Sequence, residues 1–294
     1  MTFWNHIHAA IEQATGIPVL AHAATPVGGG SINNAYRLQA QGVDFFVKTN
    51  RPELADMFAA EAEGLNEIVN TGTVHAPQAI CWGVADQVSY VVLEYLKFGH
   101  AGKAMATLGE QLAAMHRHSA EQFGWHRENT IGATRQINDW RDDWLNFFRD
   151  QRLGFQFELA ARNGYGGELA RLGDRLMASL DRFFAGYSPS ASLLHGDLWS
   201  GNYAVLEDGQ PVIFDPAVYY GDREADIAMT ELFGGFGGEF YAAYNASYPL
   251  DEGYQIRKRL YNLYHIVNHT NLFGGGYHGQ ALHMAEALLA EVKC

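Results

Sequence analysis

The chain is poor in cysteine and in basic residues, and each shortage excludes a class of protein. Its 294 residues include two cysteines, Cys81 and Cys294, which lie far apart and form no CxxC pattern. Neither a disulfide framework nor a thiolate metal cluster is therefore expected. Twenty lysines and arginines stand against 33 aspartates and glutamates, for a formal net charge of −13. Because such a surface repels phosphate backbones, we expect no nucleic-acid partner.

Long apolar runs are also missing. The N-terminus has neither the basic start nor the continuous apolar stretch of a signal peptide, and no segment approaches the length of a membrane span. With a cysteine pattern that suits a reducing compartment, this predicts a cytoplasmic protein without a membrane partner. An apolar content of 48% is ample for a packed core.

The first hundred residues alternate between strand and helix patterns. Residues 3–14 have the spacing of a short amphipathic helix. Pro52 opens a second helix, on which Leu54, Phe58, Leu65 and Ile68 recur at helical spacing. Strands are expected over residues 36–38, 45–48, 80–84 and 88–93.

The second part of the chain is mainly helical, from residue 103 onward, with an amphipathic run over 169–184 and a hairpin within 203–215. The composition changes near residues 95–102. We therefore predict an α+β fold of two lobes: residues 1–96 form a nucleotide-binding lobe with an antiparallel sheet and one long helix, and residues 97–294 form a helical lobe that carries catalysis and substrate binding.

The strongest local signal is the sequence HGDLWSGN, which ends at Asn202 and is followed by two short apolar runs around an Asp-Gly turn. These runs are expected to pair as an antiparallel hairpin, which returns Asp215 to the end where Asn202 lies. A carboxylate and an amide oxygen are hard ligands that suit Mg²⁺. Asp197 lies upstream in the same loop, where it could accept a proton from a substrate hydroxyl.

This spacing matches the catalytic loop of kinases, in which an Asp is followed after four residues by Asn and, beyond a hairpin, by a second Asp. Taken one at a time, Asp197 and Asn202 are also ordinary turn formers and Asp215 an ordinary strand-end cap. It is the joint pattern that favours the kinase interpretation.

A lysine and a glutamate in the first lobe carry a second signal. Lys48 ends an apolar strand, as a lysine that binds ATP phosphates does, although a solvated strand-end lysine is common. Glu61 falls in the middle of the apolar stripe of the following helix, so it faces inward and needs a partner. We predict that Lys48 and Glu61 pair.

Glycine and histidine clusters leave more alternatives open. Gly28, Gly29, Gly30 and Ser31 could cover phosphates with their backbone amides, but they do not form GxGxxG, and residues 99–104 fail as a Walker A motif. His265 and His269 lie one helical turn apart without the glutamate of HExxH, which disfavours a zinc hydrolase. They are either ordinary helix residues or, with Asn268, part of a polar substrate pocket.

Three stretches carry a resemblance that covers almost the whole chain: LLHGDLWSGN, FDPAVYYGDREADIAMTELFGGF and RLYNLYHIVNHTNLFGGGY. In these the chain resembles the fructosamine kinase (ketosamine 3-kinase) family, which is related to aminoglycoside and choline phosphotransferases. The resemblance implies a protein-kinase-like fold, ATP and Mg²⁺ as cofactors, and phosphorylation of a sugar hydroxyl on a ketosamine, free or attached to protein lysine.

The resemblance also assigns roles to residues. It implies that Asp197 is the proton acceptor and that Asn202 and Asp215 bind the metal. The nucleotide-binding residues it implies are the Lys48–Glu61 pair and the adenine-contacting hinge Glu94, Tyr95 and Leu96. Asp226 is implied to support the catalytic loop, with a plain helix cap as the alternative.

The acceptor site is expected on the helical lobe. Trp199, beside the base, could stack on a sugar face, and His265, Asn268 and His269 offer polar groups to hydroxyls. Three rival functions share part of this pattern: an aminoglycoside- or choline-type phosphotransferase, a module that binds ATP without turnover, and a metal hydrolase.

Overall fold

The structure, a computed structural model, describes residues 3–19, 24–28, 33–99 and 104–291. Its strands are β1 Thr25–Pro26, β2 Asn34–Gln39, β3 Asp44–Asn50, β4 Ala79–Ala85, β5 Val88–Glu94, β6 Asn129–Ile131, β7 Thr134–Gln136, β8 Ser192–Leu194, β9 Tyr203–Val205, β10 Pro211–Ile213 and β11 Tyr219–Gly221. Its α-helices are α1 Phe3–Thr15, α2 Ala55–Asn70, α3 Ala104–Met115, α4 Trp144–Phe147, α5 Phe155–Ala160, α6 Glu168–Met177, α7 Glu224–Leu232, α8 Gly238–Ser247, α9 Tyr254–Phe273 and α10 Gly276–Glu291. None of these helices combines the length and the hydropathy of a membrane crossing.

The chain divides into two compact units, neither of which is continuous in sequence. The first contains Met1–Leu108 and Asn202–Pro216, and the second contains Gly109–Gly201 and Ala217–Cys294. The hairpin that follows the HGDLWSGN stretch thus groups with the residues at the start of the chain. The domain boundary expected near residue 96 stays a prediction.

A five-stranded sheet forms the centre of the first unit, in the order β1-β2-β3-β5-β4. Each pair of neighbours runs antiparallel. The middle strand β3 has the sequence DFFVKTN, rich in the aromatic and β-branched residues that strands favour. Helix α1 packs its buried residues Ile7 and Ile11 into the same core as Leu38, Val47 and Val92. This core holds β3, and with it Lys48, in the middle of the sheet.

The long helix of the first unit begins after a proline. A single 3₁₀ turn, Pro52–Leu54, precedes α2, and proline suits this position because its missing N–H would have no partner in the first turn. The buried side of α2 includes Phe58, Leu65 and Ile68. Glu61 lies one turn after Phe58, so its carboxylate faces into the unit rather than into solvent.

The β9–β10 hairpin completes the first unit. Val205 pairs with Pro211 and Tyr203 with Ile213, around the Asp208-Gly209 turn that the sequence predicts. The hairpin is tied to earlier parts of the chain: the Ile213 amide donates to the carbonyl of His75 at 3.0 Å. Asn202 and Asp215 therefore flank a hairpin that is anchored to the sheet unit.

The second unit is built mainly of helices. Helix α9 is buried along much of its length, and its buried residues include Leu263, Ile266 and Val267. A helix with apolar residues around most of its circumference belongs in a core, with the other helices around it. The short strands β8 and β11 pair antiparallel, with Leu194 opposite Tyr219. This pairing brings together the residues just after Leu194 and those just before Tyr219.

Most of the expected elements are confirmed, and the differences are local. Helix α1, the four long strands and the Pro52 helix lie where the pattern placed them. The amphipathic run over 169–184 is broken: α6 ends at Met177, and a 3₁₀ helix, Leu180–Phe184, follows. The apolar spacing persists through the break because i and i+3 neighbours share a face in both helix types. Periodicity alone therefore could not locate the break.

Candidate active site

Lys48 lies at the centre of a charged cluster in the first unit. Its Nζ donates to Glu61 Oε1 at 2.6 Å and to Asp215 Oδ1 at 2.5 Å. The side chains of Lys48 and Glu61 are about nine-tenths buried, whereas that of Asp215 is 49% exposed. The pair expected between Lys48 and Glu61 is thus present, and Asp215, 167 residues further along the chain, shares the same lysine.

The two carboxylates keep Lys48 protonated. Burial alone lowers the pKa of a lysine, but the nearby charges of Glu61 and Asp215 and their hydrogen bonds outweigh it, so the pKa of Lys48 lies above its ordinary value. A buried ammonium held in this way is available to bind an anion that displaces one of its partners. Asp215, the more exposed of the two, is the partner that can leave at the lower cost in burial.

Asp215 and Asn202 fit a magnesium ion. Asp215 has a φ of 56°, the left-handed region that aspartate tolerates better than most residues. The amide nitrogen of the Asn202 side chain donates to the backbone carbonyl of Asp215 at 3.5 Å, so the two residues lie side by side at the base of the hairpin. A carboxylate and an amide oxygen, completed by phosphate and water oxygens, are the hard donor set that Mg²⁺ takes.

The loop that carries Asp197 belongs to the second unit and is shaped by Gly196. Gly196 has a φ of +82°, and a Cβ there would lie 2.1 Å from the carbonyl oxygen of Ala217. The Ala217 amide donates back to the His195 carbonyl at 2.8 Å. Only glycine permits both this backbone conformation and this close approach.

Asp226, in the first turn of α7, anchors the same loop. Its carboxylate accepts hydrogen bonds from the His195 amide at 2.7 Å and the Gly196 amide at 2.8 Å. It also contacts His116 Nε2 at 3.1 Å. Asp226 is 1% exposed and binds the loop rather than its own helix end. The two amides that it binds belong to the loop that carries Asp197.

Burial and hydrogen bonding oppose each other at Asp226. Burial raises the pKa of this carboxyl, but the hydrogen bond and charge of His116, the charge of His195 and the Gly196 amide more than offset it and hold the pKa below its usual range. His116 was not among the predicted residues, since it lies 110 positions from Asp226 and no local pattern distinguishes it.

Asp197 itself is half-buried in this loop. Its amide faces the ring nitrogen Nδ1 of His195 at 3.3 Å, and its carbonyl accepts from the Trp199 amide at 3.2 Å. The Trp199 side chain is 38% exposed, with its ring 6.3 Å from that of Phe233 in an edge-to-face arrangement. The base expected from the sequence and an open aromatic face thus lie on one tight turn.

The three residues predicted to form the hinge lie at and just after the end of β5. Glu94 is the last residue of that strand, and its Oε2 accepts from the Gln78 amide at 3.3 Å. Tyr95 lies under the Arg37 guanidinium, 4.9 Å from its carbon to the ring centroid, and Leu96 is half-buried.

The glycine-rich loop can be described only in part. Gly28 is exposed, with no atom near the place of a Cβ. Gly29, Gly30 and Ser31 lie outside the described residues.

The three polar residues of α9 that the sequence suggests for a substrate pocket differ in their surroundings. His265 is 4% exposed and its Nδ1 has no hydrogen-bond partner, and burial lowers its pKa to about 3, so it is neutral. Asn268 accepts from the Gln156 side chain at 3.2 Å inside the unit. His269 is half-buried, and its Nδ1 contacts the His265 carbonyl at 2.8 Å. Of the three, His269 is the least enclosed.

His269 belongs to an aromatic cluster that borders Trp199. Its ring lies 4.9 Å from Phe233, 5.5 Å from Phe273 and 5.0 Å from Tyr277, between centroids. Phe273 is 66% exposed, an unusual position for a large apolar side chain. The described part of the chain contains no group of three or more His, Cys, Asp or Glu side chains placed to hold a metal ion, so His265 and His269 have no third such ligand there.

Relatives of the chain are kinases of sugar–amine adducts by name. The family model for fructosamine kinase matches residues 3–291. A “Probable ketoamine kinase” of Synechocystis sp. is 46% identical over 288 residues, which cover 97% of both chains. The chloroplastic protein-ribulosamine 3-kinase of Arabidopsis thaliana is 42% identical over 271 residues, covering 91% of this chain and 82% of the relative.

Solved structures agree on the fold. The crystal structure of a candidate fructosamine-3-kinase from Haemophilus somnus superposes with a TM-score of 0.90 at 27% identity, covering 97% of both chains. An aminoglycoside phosphotransferase in complex with ADP and hygromycin B matches with a TM-score of 0.63 at 14% identity, over 97% of this chain and 98% of that one, which is a likeness of fold alone. The predicted α+β, protein-kinase-like fold is thereby confirmed. With a family model that spans the described site and relatives that align over nearly the whole chain, this protein belongs to the fructosamine kinase family.

Proposed function

We propose that this protein is an ATP-dependent ketosamine 3-kinase, which transfers a phosphoryl group to a sugar hydroxyl of a fructosamine or ribulosamine. The observation that carries the proposal is the buried cluster in which Lys48 Nζ binds both Glu61 and Asp215, at 2.6 and 2.5 Å. A lysine shared in this way would offer one cation to the ATP phosphates. The names of the relatives support the acceptor class.

Phosphoryl transfer depends on positioning and on neutralising charge, and the first unit offers groups for both. Lys48 would bind phosphate oxygens while Glu61 holds its side chain in place. Asn202 and Asp215 would hold Mg²⁺, which neutralises charge on the phosphates when it is bound. Gly28, Gly29, Gly30 and Ser31 would cover the phosphates, and Glu94, Tyr95 and Leu96 would contact the adenine.

The second unit supplies the proton acceptor. Asp197 would take the proton of the attacking hydroxyl, on a loop fixed by Asp226 through two backbone amides at 2.7 and 2.8 Å. Preorganisation of this kind lowers the cost of orienting the reacting groups.

The acceptor would bind beside Trp199. An exposed indole next to the base can stack on a sugar face, and His269 and the enclosed His265 and Asn268 are the polar groups that follow on α9. The aromatic cluster around His269, which includes the 66% exposed Phe273, offers a face for the alkyl part of the amine. An acidic protein of net charge −13 would also attract a cationic amine.

The deciding experiment gives the purified protein ATP and Mg²⁺ with fructosyl-lysine, ribulosyl-lysine, free fructose, choline or kanamycin. ADP release and the mass of the product are followed for each. We expect turnover of the ketosamines, with an added phosphate on the sugar. Turnover of kanamycin or choline alone would indicate an aminoglycoside- or choline-type phosphotransferase instead. ATP binding without turnover of any acceptor would favour a non-catalytic module, and hydrolysis without ATP would favour a hydrolase.

The cellular location and the binding partners of the protein are proposed from its sequence. We propose a cytoplasmic protein that acts on a small-molecule or protein-bound ketosamine and binds neither nucleic acid nor a membrane. Fractionation of cells followed by immunodetection tests the location, and a pull-down on immobilised DNA and RNA tests the expected lack of nucleic-acid binding.

A further inference from the structure

A buried polar network in the second unit holds the backbone next to the catalytic loop. In the hairpin of β6 and β7, Asn129 lies directly opposite Gln136, and the Gln136 amide group donates to Asn129 Oδ1 at 2.8 Å. Asn129 is 8% exposed and Gln136 2%. Buried amides are costly unless they are hydrogen-bonded, so this pair calls for an explanation beyond packing.

Both side chains reach the same short backbone segment. Asn129 Nδ2 donates to the Val218 carbonyl at 2.8 Å, and Gln136 Nε2 donates to the Ala217 carbonyl at 3.1 Å. Ala217 is the residue whose amide donates to the His195 carbonyl and whose carbonyl oxygen leaves no room for a Cβ on Gly196. The two side chains thus hold the segment against which the loop of Asp197 is packed.

The rest of the network fixes Gln136 and Asn129 in turn. Tyr264 of α9 donates its hydroxyl to Gln136 Oε1 at 2.8 Å. Asn138 donates to Asn129 Oδ1 at 2.9 Å and accepts from Arg152 at 2.7 Å. Neighbouring groups therefore fix the orientation of the side-chain amides of Gln136, Asn129 and Asn138.

Arg152 gives the network a rigid end. Its guanidinium is fully buried, and its carbon lies 4.5 Å from the Phe147 ring centroid and 4.0 Å from that of Tyr219. It also donates to the backbone carbonyl of Ile137 at 2.5 Å. A planar cation that lies over two rings and is bonded to the backbone has little freedom to move.

We infer that Gln136 and Asn129 are positioning residues for the phosphotransfer reaction, which act on the Asp197 loop through the carbonyls of Ala217 and Val218. The inference rests on the proposed function for its kinetic part and on geometry alone for its structural part. Neither side chain touches the reacting atoms. Their effect is to keep the Ala217 amide directed at His195, so that the loop retains one conformation.

The test compares Gln136→Met with Gln151→Met. Gln151 is also buried in this unit, at 4% exposure, and also donates its amide to a backbone carbonyl, that of Asp139 at 2.8 Å. Both variants remove one buried amide and keep a side chain of similar length, and only the first touches Ala217. Tyr264→Phe is a milder third variant, which removes the hydroxyl that orients Gln136.

Two measurements are made on each variant. The first is steady-state kinetics with ATP and fructosyl-lysine, for which Gln136→Met is expected to lower kcat about tenfold to a hundredfold with the KM for ATP within about twofold, since a misplaced loop affects the reaction more than nucleotide binding. The second is hydrogen exchange of the Ala217 amide, expected to quicken about tenfold in Gln136→Met relative to Gln151→Met. Tyr264→Phe should shift both readouts in the same direction by less.

The outcomes distinguish a failure of the positioning role from a failure of the proposed function. Equal kcat and equal exchange in the two glutamine variants would overturn the positioning role. If the wild-type protein turns over no ketosamine, the proposed function fails, and the exchange rates still decide whether Gln136 holds the loop. Should Gln136→Met not fold, Tyr264→Phe against Gln151→Met supplies the same comparison.

Discussion

At the scale of single residues, the proposed proton acceptor Asp197 gives the first prediction. We expect Asp197→Asn to lower kcat by about 10²- to 10⁴-fold, the range for loss of a general base, while the affinity for ATP stays within about twofold. The reason is that the groups proposed to bind the phosphates and the metal are other residues. Calorimetric titration with ATP and Mg²⁺ beside a coupled ADP assay measures both quantities. Near-normal turnover by this variant would contradict the assignment of the base.

Glu61 gives a second prediction, in comparison with Glu63 two residues later. Glu61→Gln removes one of two charges that hold the buried Lys48, so the lysine would be misplaced and kcat/KM for ATP should fall about tenfold to a hundredfold. The ion pairs of Lys48 are with Glu61 and Asp215, and Glu63 is a half-buried residue of α2, so Glu63→Gln is expected to change kcat/KM by less than about twofold. Equal effects of the two substitutions on ATP kinetics would show that Lys48 does not depend on Glu61.

At the scale of elements, the turn at Gly196 can be tested against a second turn. Gly196 and Gly209 both have positive φ, +82° and +87°, and an added Cβ meets the Ala217 carbonyl at the first and nothing within 4 Å at the second. Replacement by alanine costs each about 1–2 kcal/mol of backbone strain, and only Gly196→Ala must also displace Ala217. We therefore expect Gly196→Ala to lose activity about a hundredfold or more and Gly209→Ala to stay within about twofold.

Thermal unfolding of the two variants serves as the control. Strain alone would lower both melting temperatures by a few degrees, and the collision with Ala217 should lower that of Gly196→Ala further. Full activity in Gly196→Ala would mean that the loop tolerates another path.

The elements differ in how far the sequence could predict them. Strands β2 to β5 and helices α1 and α2 were predictable because each is long enough to show a pattern. The strands β3 and β5 show apolar runs rich in β-branched and aromatic residues, and the helices show helical spacing of their apolar residues. Strands β6 and β8 have three residues each, too few for any period. The π-helical turns at Phe148–Gly154 and Ala161–Tyr165 differ from α-helix by one residue per turn, which no side-chain pattern shows.

The residues of the candidate site also differ in how far the sequence could predict them. Lys48, Glu61 and Asp215 were predictable because each is polar at a position where the pattern demands burial or a strand end. His116 and Gln136 were not, since their partners, Asp226 and Ala217, lie 110 and 81 positions away. Contacts of that kind are set by tertiary packing, and a single sequence holds no local signal for them.

At the scale of the whole molecule, the buried histidine of α9 predicts sensitivity to acid. The pKa of His265 is about 3 in the folded protein because burial disfavours its charged form, against about 6.5 when unfolded. The unfolded chain therefore binds more protons below about pH 6.5, and stability falls as pH drops through that value. Between pH 7 and pH 5 this one residue should cost about 2 kcal/mol of the free energy of unfolding.

Urea unfolding at pH 7 and pH 5 measures this cost. His265→Gln should lose less stability than the wild type over that interval, and His283→Gln, at an exposed position of α10, should lose as much as the wild type. Equal pH dependence in all three proteins would place the acid sensitivity elsewhere.

The discontinuous first unit has a consequence for synthesis. The ribosome releases the sheet and α2 early, but β9 and β10 emerge only after residues 109–201 have been translated. A nascent chain that ends before Asn202 already holds Lys48 and Glu61 and still lacks both proposed magnesium ligands. Translation order would thus delay metal binding at the proposed site until the loop of Asp197 has been made, and a chain interrupted before Asn202 would carry the charges of Lys48 and Glu61 without either proposed magnesium ligand.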